Sequence, residues 1–205
     1  MGLRQQQVNL FQSYLLVLVG LAIVFTITSF LAVNYTLKLE HDSRNINLAG
    51  MQRMLSQKMA LHAEQINHAD IHQSLYPKKR LLSAAVRFLE NHKTLTSKRT
   101  NPNLSDHIHA LYFSKVSNLD EKFRRYANDA ILVSNGADLT IVWQYSSKDI
   151  ESLLAELDNI VSQFEQDASN RVGTSFTIQL IAWLINLTVI IIASMIVVRK
   201  LERVS

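Results

Sequence analysis

Two long apolar runs decide the fold of this chain. Residues 14–33 read YLLVLVGLAIVFTITSFLAV, residues 176–198 read FTIQLIAWLINLTVIIIASMIVV, and neither run contains a charged residue. A helix needs about 20 residues to cross the hydrocarbon core of a bilayer, which is roughly 30 Å thick. Both runs therefore predict transmembrane helices rather than buried helices of a soluble protein. The first is longer than the core of a signal peptide, so we interpret it as an uncleaved anchor.

The composition excludes several classes of protein. The chain of 205 residues has no cysteine, which excludes a disulfide-stapled domain, a thiolate zinc site and an iron–sulfur cluster. It has five glycines and two prolines, which disfavours turn-rich β architectures and favours long helices. Its 21 Lys and Arg stand against 17 Asp and Glu, a balance too even for a nucleic-acid-binding protein. We expect no cofactor.

Positive charge near the two runs predicts their orientation. Four basic residues lie on the chain-end side of the runs: Arg4, Arg199, Lys200 and Arg203. Three lie on the inner side: Lys38, Arg44 and Arg171. Basic residues favour the cytoplasmic side of a membrane. We therefore expect residues 1–13 and 199–205 in the cytoplasm and residues 34–175 outside it, as one domain between two spans.

The domain at 34–175 divides into four helical segments. The dividers are Tyr76-Pro77, the polar loop 94–106 and the tight turn 135–138. The first segment runs to about Leu75 and the second from about Lys78 to Lys93. The third begins after Ser105, a plausible N-cap, and the fourth runs into the second span after helical entry at 139–143. Apolar stripes at helical spacing mark the last three: Leu82, Ala85 and Leu89; then Ile108, Tyr112, Val116, Leu119, Phe123, Tyr126, Ala130 and Val133; then Ile150, Leu153, Leu154, Leu157, Ile160, Val161, Phe164, Ala168 and Val172. The pattern predicts an all-α, antiparallel four-helix bundle flanked by two transmembrane helices.

Residues 42–60, DSRNINLAGMQRMLSQKMA, depart from an ordinary amphipathic pattern. One stripe is large and apolar and is expected in the bundle core: Leu48, Met51, Leu55, Met59 and Ile66. The other is mostly small and has an arginine in its middle: Ile46, Ala49, Arg53, Ser56, Ala60 and Ala63. Gly50 lies beside it in mid-helix, where glycine is unfavourable. Either Arg53 extends into solvent, or the small stripe meets a second copy and two Arg53 side chains hold an anion between them.

The same segment resembles the signature of the PilJ-type and NarX/NarQ-type sensor domains of bacterial receptors. The resemblance rests on Asp42-Ser43, Ile46-Asn47, Ala49-Gly50, Arg53-Met54 and Lys58. It implies a dimeric four-helix bundle in the periplasm, carried on two spans in the inner membrane. It also implies nitrate or nitrite bound at the first-helix dimer interface by Arg53, near Gly50. Lys58 stands where the family often has arginine, and Lys58, Asn47 and Ser56 are secondary candidates.

These patterns favour a signal-transduction input module over other functions. The leading hypothesis is a homodimer that senses nitrate or nitrite and passes helix motion to a cytoplasmic output domain or signalling partner. The alternative is a ligand-free membrane scaffold or partner subunit. The sequence has no catalytic motif, so we do not expect an enzyme. We interpret the pairs His68/His72 and His107/His109 as solvated rather than metal-binding, and His62 as a core histidine.

Overall fold

The computed structural model describes residues 2–68, 74–102 and 104–202. Six helices form it: α1 (Gly2–His68), α2 (Leu75–Thr96), α3 (Asp106–Phe113), α4 (Leu119–Ser134), α5 (Leu139–Val142) and α6 (Ser147–Glu202). No strand occurs in these three ranges, so the all-α class predicted from the sequence is confirmed.

Contacts divide the chain into two compact units. One is formed by Met1–Leu39 and Asn170–Ser205, and the other by Glu40–Ser169. The first unit contains both predicted spans, within α1 and α6. The most apolar windows of these helices have mean hydropathies of 2.6 and 2.2 and are almost entirely unburied. Helices that apolar and that exposed are able to cross a membrane and are unlike the core helices of a soluble domain.

The second unit is a helical bundle around one apolar core. Five helices and Leu104 of the loop before α3 supply the buried side chains: Ala49, Leu55 and Met59 of α1; Leu81, Ala84, Ala85, Phe88 and Leu95 of α2; Ile108 and Tyr112 of α3; Leu119, Phe123, Tyr126, Ala127, Ala130 and Val133 of α4; and Leu153, Leu157, Ile160 and Phe164 of α6. The ring of Phe123 packs edge-on against two other rings: its centroid lies 6.1 Å from that of Phe88 and 6.3 Å from that of Tyr112. The four predicted segments thus bury one face each, as a bundle requires.

The third predicted helix is interrupted, which the apolar stripe did not indicate. α3 ends at Phe113, and α4 begins at Leu119 after Asn118, whose φ of 42° is left-handed. Between them the Ser117 hydroxyl donates to the carbonyl of Leu111 at 2.7 Å. Serine hydroxyls that take up backbone carbonyls compete with helical hydrogen bonds, and asparagine tolerates the left-handed region. Val116, predicted to be in the core, is therefore 97% exposed.

The boundary between the first two segments also differs from the prediction. α1 is described as far as His68. Leu75 begins α2 instead of ending the first segment, and Pro77 lies in the first turn of α2 rather than at the end of the preceding helix. The first turn of a helix has backbone N–H groups without partners, so proline costs little there. The buried face of α2 is centred on Leu81, Ala84 and Phe88, whereas the predicted Leu82 is only partly buried.

The predicted start and turn signals are confirmed. The Ser105 hydroxyl accepts the backbone N–H of Ile108 at 3.2 Å and caps α3. Gly136 adopts a φ of 101° in the turn after α4. Residues 139–142 are helical as predicted, but they form the separate short helix α5, capped by Asp138. α6 then begins with a capping box, in which Ser146 and Asp149 each accept the other's backbone N–H.

Candidate functional site

The small stripe of α1 faces the interior of its own bundle. Ala49, Ser56 and Ala63 are buried within the chain, so this face is not free to meet a second copy, which was one of the two alternatives that the sequence left open. The Tyr126 hydroxyl of α4 donates to the carbonyl of Ser56 at 3.0 Å. The small side chains thus allow a large aromatic residue of the same chain to approach α1, and a second copy is not needed to explain them. In the large stripe, Leu55 and Met59 are buried as predicted.

Arg53 extends from the edge of this buried face and forms an ion pair within the chain. Its Nε lies 2.5 Å from Oδ1 of Asp158 on α6. The side chains of Arg53 and Asp158 are 48% and 50% exposed. An ion pair this exposed contributes only about 0–1 kcal/mol. Arg53 therefore has a counter-charge, but one that another anion can replace at little cost.

An apolar strip lies on the solvent side of α1. Successive residues of a helix are rotated by about 100° around its axis, so Gly50, Met54 and Leu61 point in directions that differ by at most about 40°. Met54 is 41% and Leu61 54% exposed, and a Cβ added at Gly50 would meet nothing within 4 Å. We call these three residues the outer face of α1. Arg53 lies about 60° to one side of Gly50, so its guanidinium flanks this face.

The structure separates the predicted secondary residues. Asn47 is exposed, about 60° from Gly50 on the other side of the outer face. Ser56 is buried, and its hydroxyl donates to the carbonyl of Arg53 at 2.7 Å. Lys58 lies about 140° around the helix from Arg53, where it faces α2 in a different cleft. Gly50 thus lies between Arg53 and Asn47, which are about 120° apart, and Lys58 lies only about 20° beyond Asn47. Ser56 alone among these candidates is buried.

The described histidines among those named from the sequence lie in separate surroundings. His62 is half-buried and bonds Gln65 at the surface at 2.9 Å, so its assignment to the core was wrong. His68 pairs with Glu64, and its proposed companion His72 lies outside the described residues. His107 is exposed. Within the described ranges, no three His, Asp or Glu side chains converge as metal ligands would.

A buried histidine that the sequence analysis overlooked links α2 to α4. The Nε2 atom of His92 lies 2.7 Å from Oδ1 of Asp120, which also accepts from Arg124 at 2.9 Å. Burial lowers the pKa of His92 more than the carboxylate raises it. Burial alone would raise the pKa of Asp120, but the hydrogen bonds from His92 and Arg124 lower it overall. His92 lies three residues after Leu89, the last residue of the predicted apolar stripe of α2. Helical periodicity therefore indicated that His92 lies on the buried face of this helix.

The described residues form a helical bundle with two helices able to cross a membrane, an architecture compatible with a membrane-bound input module. The chain matches the family model described as Type IV pili methyl-accepting chemotaxis transducer N-term (PilJ) over residues 35–145. The match covers more than half of the chain, and the protein belongs to this family. The family is a sensory, non-catalytic domain. Searches of the curated proteins and of the solved structures each returned no match.

Proposed function

We propose that this protein senses nitrate or nitrite in the periplasm as a homodimer joined along the outer face of α1. The observation that carries the proposal is the half-exposed Arg53–Asp158 pair. It joins α1 to α6, and each of these helices continues without interruption into an apolar segment. An anion that competes with Asp158 for Arg53 changes a contact between the two helices best placed to carry a signal.

The outer face of α1 suits a two-fold contact. A two-fold axis brings the same patch of both copies together. Met54 and Leu61 provide exposed apolar area for such a contact, and Gly50, without a side chain, allows the two backbones to approach closely. Arg53 flanks this face, so the contact would bring two guanidinium groups near each other. Asn47 is the other exposed polar candidate near the seam.

Two facing arginines favour a planar anion. Their like charges repel unless an anion lies between them, and a guanidinium fork matches the oxygens of a planar oxyanion. Hydrogen bonds between charged groups contribute about 1.5–3 kcal/mol each, more than the exposed pair with Asp158. Nitrate would therefore draw Arg53 away from Asp158 and strengthen the dimer.

The signal in this proposal is a small movement of helices. Shifts of about 1–2 Å between packed helices are a common switching movement. The anion must bind the two arrangements with different affinity, and the loss of the Arg53–Asp158 pair supplies that difference. The movement would reach a cytoplasmic output domain or signalling partner through α6, which extends to Glu202.

Calorimetry tests the ligand. Nitrate is titrated into the full chain in lipid nanodiscs, and saturable binding is expected. In the Arg53→Gln variant the affinity should fall at least about tenfold, as expected when a charge-assisted contact is lost. Arg44→Gln, which alters another exposed arginine of α1, is the matched control and should bind normally. Absence of heat, or equal affinity in Arg53→Gln, contradicts nitrate sensing.

Disulfide crosslinking tests the dimer. The chain has no cysteine, so Met54→Cys introduces a single thiol on the outer face of α1. Oxidation should yield a covalent dimer, and added nitrate should increase its yield. Ser162→Cys, on an exposed position of α6, should not crosslink. A crosslinked dimer in Met54→Cys, together with no heat on nitrate titration, would favour the ligand-free scaffold. The observation that supports this alternative is that Arg53 already pairs with Asp158 of its own chain. No crosslink at Met54 would contradict this interface.

A further inference from the structure

A second basic site lies between α1 and α2. It is a cleft of about 120 Å³. α1 contributes Lys58 and His62 to its lining, and α2 contributes Arg80, Ser83 and Arg87. Its apolar lining consists of Leu55 and Ala84, which belong to the bundle core. The cleft is thus anchored on rigid packing, with polar groups at its opening.

Among the described residues, no carboxylate lines this cleft. Every ion pair found among the described residues lies elsewhere, and none of them involves Lys58, Arg80 or Arg87. The guanidinium of Arg80 lies over the ring of Tyr76, 5.1 Å from its centroid, which orients the group without neutralising it. Three permanent cations therefore share one small cleft without a counter-charge from any residue that the structure describes.

Helix α2 reinforces this positive potential. It carries five Lys or Arg residues against a single Glu, although residues 34–175 as a whole are nearly neutral, with 17 basic and 16 acidic residues. Like charges held close together destabilise the fold unless an anion or solvent offsets their repulsion. Two of these five basic residues, Arg80 and Arg87, line the cleft, where an anion would offset their repulsion.

We propose that this cleft binds a small oxyanion with two or more negative charges, such as phosphate or sulfate. Pockets for organic ligands usually have volumes of about 300–1,000 Å³, so a cleft of 120 Å³ suits a single ion. Two guanidinium forks, one ammonium and the Ser83 hydroxyl provide donors from several directions, which matches a tetrahedral oxyanion better than a planar one. Because it joins side chains of two helices, the bound ion fastens α2 to α1.

This site is independent of the proposed nitrate site. Lys58 and Arg53 lie about 140° apart around α1, so one anion cannot contact both side chains in the same copy. The two sites also favour different ions, since one has two facing forks and the other has three cations around a small cleft. Substitution of Arg80 or Arg87 on α2 should therefore leave nitrate binding unchanged, and substitution of Arg53 should leave phosphate binding unchanged.

Binding and thermal unfolding of the full chain in nanodiscs test the proposal. Phosphate and sulfate should bind saturably and raise the unfolding temperature. Sodium chloride and sodium nitrate at equal ionic strength should not bind in this cleft, so any effect they have on the unfolding temperature should be the same in Arg87→Gln as in the natural chain. Arg87→Gln should weaken phosphate binding at least about tenfold, and Lys58→Gln combined with Arg87→Gln should abolish it. Lys79→Gln, which removes an exposed charge of the same helix outside the cleft, should bind normally.

Stability in phosphate-free buffer provides a second readout. In that buffer, Arg87→Gln should be at least as stable as the natural chain, because one of the mutually repelling charges is gone. At saturating phosphate the natural chain should be the more stable of the two. That crossover also distinguishes loss of binding from misfolding. Absence of saturable binding, an equal response to chloride, or unchanged phosphate affinity in Arg87→Gln would overturn the proposal. Arg53→Gln should bind phosphate normally, so failure of nitrate sensing and failure of this site are separable.

Discussion

At the scale of single residues, Gly50 shows that local stability and the proposed function favour different side chains. It lies in the middle of α1, where glycine costs about 0.5–1 kcal/mol relative to alanine. Nothing in its own chain requires glycine, because an added Cβ would have open space around it. The close approach of another helix supplies a reason for glycine that the single chain does not.

Gly50→Ala is therefore expected to stabilise the bundle and weaken the dimer. The midpoint of thermal unfolding, followed by circular dichroism, should rise, while crosslinking through Met54→Cys should fall. Gly173→Ala is the matched control, since this helical glycine of α6 also has open space around it; it should leave the crosslink unchanged. Undiminished crosslinking in Gly50→Ala would mean that the glycine does not serve the proposed contact.

His92 makes the stability of the bundle depend on pH. Its pKa is lowered in the folded chain, so the unfolded chain, with a histidine pKa of about 6.5, binds more protons. The stabilisation is therefore complete above about pH 6.5 and is lost as the pH falls below it. The lowered pKa of Asp120 acts in the same direction, at more acidic pH.

Thermal unfolding between pH 8 and pH 5 tests this dependence. His92→Gln retains a donor for Asp120 but does not titrate, so its unfolding temperature should fall less between pH 7 and pH 5.5 than that of the natural chain. His62→Gln, at a half-buried surface position, should behave like the natural chain. An identical pH profile in His92→Gln would show that another group causes the acid sensitivity.

At the scale of elements, the break between α3 and α4 is set by local chemistry rather than by the apolar stripe. Asn118 adopts a left-handed conformation, and its side chain donates to Glu121 in the first turn of α4. A left-handed backbone costs most residues about 1–2 kcal/mol, whereas glycine adopts it freely and asparagine readily.

Substitutions at Asn118 measure the cost of this break. Asn118→Gly and Asn118→Ala both lose the side-chain hydrogen bond to Glu121. The difference between their free energies of unfolding therefore measures the cost of the left-handed backbone conformation. Asn118→Ala should be less stable than Asn118→Gly by about 1 kcal/mol in chemical unfolding of the full chain. Equal stability of the two variants would indicate that the α3–α4 junction rearranges when Asn118 is replaced.

The choice of buried face on α1 is also an element-scale outcome. The sequence offered a large stripe and a small stripe, and the bundle buries parts of both, with Leu55 and Met59 beside Ala49 and Ser56. Tyr126 reaches the backbone of α1 only because Ser56 and its neighbours are small. Periodicity along one helix cannot reveal such packing, because it depends on the volume of a residue 70 positions away.

At the scale of the molecule, the sequence by itself determined the class of protein. The lengths of the apolar runs, the scarcity of glycine and proline, and the stripes at helical spacing require long helices and a bundle, because each reflects local geometry or solvation. The motif around Arg53 indicated the PilJ family, which the comparison confirmed; the likeness to NarX and NarQ stays a prediction.

Only the tertiary structure decided which charged groups act together. It paired Arg53 with Asp158, placed Lys58 in a cleft with Arg80 and Arg87, and buried His92 against Asp120. Each of these contacts joins side chains from different helices. The physical reason is that such contacts depend on how the helices are rotated and packed around the shared core, which the spacing of residues along one helix does not specify.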